Sequence, residues 1–154
     1  MNVSEHPGVL ERFRKAPRPF QRTFETPLKN LPNFVRTILS ANEHVQGGCL
    51  IINQVVFEPK HLMALLAEHS LPAPCGHGSS VTVAGEQEVA ALLEAGLSDW
   101  VDFLFVPTPE TFSIYADHDE YTTFYAVEIS NLDRIVDALS AEGFASVAEY
   151  ERRP

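Results

Sequence analysis

At 154 residues, with 45% hydrophobic and 21% charged residues, the chain fits a single domain with its own core and not a disordered segment. A net charge of -10 repels nucleic-acid phosphates and favours basic proteins or metal ions. No apolar run approaches the roughly 20 residues of a membrane helix. Met1 to Pro19 contains no apolar signal core, and Cys49 and Cys75 are too few for a disulfide scaffold. A cytoplasmic protein is expected.

Charge is unevenly distributed. Seven of the eleven basic residues precede residue 37, and none lies between Lys60 and Arg134. That segment carries acids throughout, from Glu68 to Asp133. They have no basic partner within their own stretch. The field serves solubility or attracts a cationic partner.

In chain order, residues 1–8 read as a lead-in. Val9 to Ala16 forms a short helix that Pro17 and Pro19 end. Phe20 and Phe24 anchor the next segment, and Pro32 opens a helix running to Ser40. Residues 1–44 are thus a basic, helical arm packed on the body. They lack the glycine loop or interleaved aromatics of a nucleic-acid site. Cys49 to Phe57 is a near-continuous apolar run, a strand flawed by Asn53-Gln54. Lys60 to His69 is a helix, Ser79 to Ala84 an alternating strand, and Glu86 to Ala95 a helix capped by Gly96. Ser130-Asn131-Leu132-Asp133 reads as a capping box opening a helix to Ala141, and Ala145 to Glu151 as an edge strand.

Val101 to Val127 holds three apolar-rich runs divided by two polar breaks, and predicts an antiparallel three-stranded meander. Placing like faces together pairs Ile114 with Phe124 and Tyr115 with Thr123. The connecting loop is then His118-Asp119-Glu120, or five residues, because no glycine supplies a left-handed position. Ser113, Tyr115, Thr123 and Tyr125 share one face, which is either a contact surface or is covered by the N-terminal arm or a helix. The fold class is α/β or α+β: one domain, a mixed sheet, and the meander flanked by helices.

Candidate chemistry is sparse. Asp117, His118, Asp119 and Glu120 combine carboxylates with an imidazole, the raw material of acid–base work. Neighbours on a hairpin tip point apart, however, and a tip is poorly desolvated. His69, Cys75 and His77 are zinc-type ligands, with His61 or Asp117 as a fourth, and would make a small metal-dependent hydrolase. Only one close pair is present, and a histidine ending an amphipathic helix commonly packs or caps. No dinucleotide fingerprint, phosphate loop or nucleophile elbow occurs, so no organic cofactor is expected.

The run from Ile114 to Phe124, IYADHDEYTTF, resembles a segment of small bacterial immunity-type proteins, which protect a cell from secreted toxins. The resemblance implies a binding function, an acidic surface that occludes a toxin such as a basic nuclease. The contact residues expected on this reading are Asp117, His118, Asp119, Glu120, Tyr115 and Tyr121, supported by Glu86, Glu88 and Asp102. A third reading makes the tyrosine face an oligomer interface in a structural subunit.

Overall fold

A computed structural model describes residues 1–6, 8–42, 45–73, 76–148 and 150. Among them the chain runs β1 (Asn2–Glu5), α1 (Val9–Lys15), β2 (Phe20–Glu25), a 3-10 turn (Leu28–Asn30), α2 (Leu31–Ser40), β3 (Gly47–Gln54), α3 (Lys60–Glu68), β4 (Ser79–Ala84), α4 (Glu86–Ser98), β5 (Asp102–Thr108), β6 (Ser113–Ala116), β7 (Tyr121–Ala126), α5 (Ile129–Ala141) and β8 (Ser146–Val147). The eight strands form one sheet in the order β1-β4-β3-β5-β6-β7-β2-β8.

Every pairing in this sheet is antiparallel, which corrects the expected mixed sheet. A strand–helix–strand order suggests a parallel crossover only if the helix delivers the chain to the far end of the next strand. Here α3 has just nine residues, and β4 begins at the end that β3 has left. β4 therefore enters beside β3 in the opposite direction, with Gly47 opposite Ala84 and Ile51 opposite Ser80.

The N-terminal region is also more than a packed arm. β1 pairs with β4, and β2 sits between β7 and β8 as an interior strand, with Phe20 opposite Ala126 and Glu25 opposite Tyr121. β5, β6 and β7 pair consecutively, with Ile114 opposite Phe124 and Tyr115 opposite Thr123.

Alternation along the strands separates two unequal cores. On one face α3 packs on α4, α4 on α2 and α2 on α5. They cover Leu50, Ile52, Phe103, Phe105, Ile114 and Phe124, all essentially inaccessible. Gly96 lies inside α4 instead of capping it, because a Cβ there would sit 2.9 Å from the Phe103 ring and 3.2 Å from Leu50. α4 runs on to Ser98. The expected capping box of α5 does not form either, as no side chain caps its first turn.

On the other face α1 lays Leu10 and Phe13 against Ile51, Leu104, Tyr115 and Tyr125. Phe13 meets Tyr125 edge-on at 5.4 Å. The tyrosine face is thus covered by the N-terminal helix, and Tyr115 and Tyr125 are 1% and 4% exposed. No helix of the described residues is long and apolar enough to cross a membrane.

Candidate functional site: the acidic end of the sheet

The β6–β7 connection is the three-residue loop His118-Asp119-Glu120, closed by the Asp117 N–H donating to Tyr121 O at 3.1 Å. Such loops need one left-handed residue, usually glycine. Glu120 takes that role with φ 66°. Asp117 organises the turn from within: its Oδ1 accepts from the backbone N–H of Asp119 at 3.0 Å and of Tyr121 at 3.2 Å. Its Oδ2 accepts the Tyr150 hydroxyl at 3.0 Å. A short acceptor side chain that closes its own turn is what Asp does well.

Asp102 does comparable work one strand away. Phe103 pairs with Ala116, so continuing the register by one places Asp102 opposite Asp117. Asp102 Oδ1 accepts the His118 backbone N–H at 2.8 Å and lies 2.8 Å from His118 Nδ1. That hydrogen bond, with the nearby charges of Asp102, Asp119 and Asp117, raises the His118 pKa against an opposing desolvation. Both carboxylates are almost fully buried. They hold the tip in place and present no carboxylate surface to a partner.

What faces solvent is a different set. Asp119 has a side chain 62% exposed, and Glu120 and Glu25 are exposed. Two backbone bonds bring them together: Thr26 N–H donates to Glu120 O at 2.7 Å, and Glu25 N–H to Ala145 O at 3.1 Å. The result is a 420 Å³ groove walled by Glu25, Thr26 and Pro27, by Asp119, Glu120 and Tyr121, and by Gly143 to Ala145. Tyr121 stacks on Tyr150 with ring centroids 4.4 Å apart.

The remaining expected contact residues lie elsewhere. Tyr115 is buried under α1, where its hydroxyl accepts from Asn53 Nδ2 at 2.7 Å. Glu86 and Glu88 occupy the first turn of α4, about 18 Å along the helix from its tip-side end. There Glu88 receives the Met1 amine at 3.2 Å and the Ala84 N–H at 3.4 Å, which hold its carboxyl below the ordinary range. These two acids therefore belong to the opposite end of the sheet, not to one surface with Asp119.

The zinc-type residues do not converge either. His61 and His69 bracket α3, about 12 Å apart along its axis. His61 is bonded to Asp99, and His69 follows the other end of the helix. His77 sits at the end of β3 with Nδ1 2.9 Å from Asn53 O. Cys75 lies outside the described residues. No group of three potential metal ligands occurs among the described residues.

Two participants escape a sequence reading. Glu25 reaches the groove only because β2 pairs with β7, a contact with no local signature. Asp99, buried after α4, caps the start of α3: Oδ1 accepts His61 N–H at 3.1 Å and Oδ2 accepts Leu62 N–H at 2.7 Å. A carboxylate at a helix N-terminus satisfies unpaired donors and complements the dipole. No family model matches the chain, and no curated protein matches it.

Proposed function

We propose that the protein is a non-enzymatic binding protein of the immunity or inhibitor type, whose acidic sheet end occludes a basic partner such as a nuclease toxin. The observation that carries this reading is the groove where Glu25, Asp119 and Glu120 converge from β2 and the β6–β7 loop. The buried carboxylates Asp102 and Asp117 support it by fixing the loop before any partner arrives, which lowers the ordering cost of binding. Complementary charge would speed the encounter and make it salt-sensitive. His118 turns Nε2 toward the Asp119 carboxylate, 3.8 Å away. The Asp102 oxygen that meets the His118 ring also holds the loop backbone, so the His118–Asp102 pair suits positioning of the loop.

The test is affinity capture from the source cell at low and high salt, using wild type and the triple variant Glu25→Gln, Asp119→Asn, Glu120→Gln as bait. A basic protein held by wild type alone and released by salt is the expected result. Identical proteins on both baits, or retention indifferent to salt, would contradict the proposal.

A further inference from the structure

The same end of the molecule carries an aromatic pair that the fold does not bury. Phe57, in the β3–α3 connection, is 56% exposed. It meets Trp100 edge-to-face, with centroids 6.1 Å apart and planes at 87°. Trp100 sits in the turn between α4 and β5 with φ 56°, a conformation that bulky side chains seldom adopt. It stays there because Trp100 N–H donates to Leu97 O and Val101 N–H to Gly96 O, which ends α4 and starts β5. An exposed phenylalanine against a tryptophan in a strained turn has no evident use in the core.

This pair is continuous with the acidic groove. A narrow cleft beside Trp100 is lined by Leu28, Thr26 and Glu120, among others. Thr26 and Glu120 also wall the groove that contains Glu25 and Asp119. Among the described residues that line them, neither the cleft nor the groove has Lys or Arg. An apolar aromatic platform is thus rimmed by carboxylates on its groove side. Interfaces concentrate their energy at such aromatic anchors, and a charged rim sets the partner's sign.

We infer that the Phe57–Trp100 pair is the anchor of this surface, and that it receives a protein segment presenting arginine beside an apolar side chain. The inference rests on the cationic-partner reading above and names which chemistry of cation fits. Guanidinium is weakly hydrated, stacks on aromatic faces and forks onto a carboxylate, so one arginine spans Trp100 and Glu120 in a way that a lysine ammonium does not. The acidic rim disfavours anionic lipid headgroups and nucleic acid alike.

Trp100 is the only tryptophan, so its emission reports this surface directly. The probe is a synthetic peptide of alternating arginine and leucine, with an alternating lysine–leucine peptide beside it. The arginine peptide is expected to shift Trp100 emission saturably and to bind several-fold more tightly than the lysine peptide. Phe57→Ala is expected to weaken it about tenfold, while Phe57→Tyr retains binding, and circular dichroism confirms that both variants fold. If Asp119→Asn with Glu120→Gln weakens binding but Phe57→Ala does not, the aromatic anchor is overturned and the acidic surface stands. If Phe57→Ala weakens binding and the acidic double variant does not, the cationic-partner reading fails, and the arginine assignment fails with it. Equal affinity for the two peptides, or no saturable change, also overturns the inference.

Discussion

Asp102 Oδ1 stands 2.8 Å from both the backbone nitrogen and the ring Nδ1 of His118. One buried oxygen thereby ties the start of β5 to the β6–β7 loop and raises the histidine's pKa above its ordinary 6.5. A histidine with a folded value above its unfolded one contributes stability that is fully present below the unfolded pKa. That stability is lost as pH rises through the folded pKa. Urea unfolding of wild type and His118→Asn across pH should therefore show their difference shrinking as pH climbs above 6.5. A difference that is flat or grows with pH would show that the pair does not stabilise the charged imidazole.

Much of this hairpin was legible in the sequence, and the reason is periodicity. Ile114 and Phe124 alternate with Tyr115 and Thr123 so regularly that a one-residue slip would put every side chain on the wrong face, and the like-with-like pairing is the one observed. The same logic did not reach β1 or β2. Asn2–Glu5 is too short to alternate visibly, and Phe20 and Phe24 lie on a strand whose partners, β7 and β8, are remote in sequence. The acidic tip was legible as composition but not as geometry. Nothing local says that Asp117 turns inward while Asp119 turns out, because that depends on Asp117 closing its own loop. Glu25 and the Phe57–Trp100 pair join the site only through the tertiary fold.

Asp99, just after α4, ties that helix to the start of α3. Asp99→Ala leaves the His61 and Leu62 N–H groups without their acceptor. It is expected to cost about 2 kcal/mol, measured by chemical denaturation. A loss within the scatter of ordinary surface substitutions would mean that solvent replaces the carboxylate without penalty.

Gly96 is required by close approach. Gly96→Ala places a methyl 2.9 Å from Phe103 in a filled core, and is expected to destabilise by roughly 1–3 kcal/mol. Thermal unfolding checks this, and an unchanged midpoint would mean that the Phe103 ring moves aside freely.

Glu120 combines a carboxylate of the proposed docking surface with a left-handed backbone at φ 66°. Glu120→Gly relieves about 1 kcal/mol of strain and is expected to raise the melting temperature by roughly 2–4 °C, while weakening capture of a basic partner. A variant that is both less stable and equally competent would separate Glu120 from the proposed site.

The most direct measurement is amide chemical-shift mapping during addition of the arginine–leucine peptide. Shifts are expected at Glu25, Thr26, Leu28, Phe57, Trp100 and His118 to Tyr121, with Glu86 and Glu88 at the opposite end of α4 unmoved. Shifts centred on Glu86 and Glu88, or spread evenly over every acidic residue, would contradict a docking surface at the tip end of the sheet.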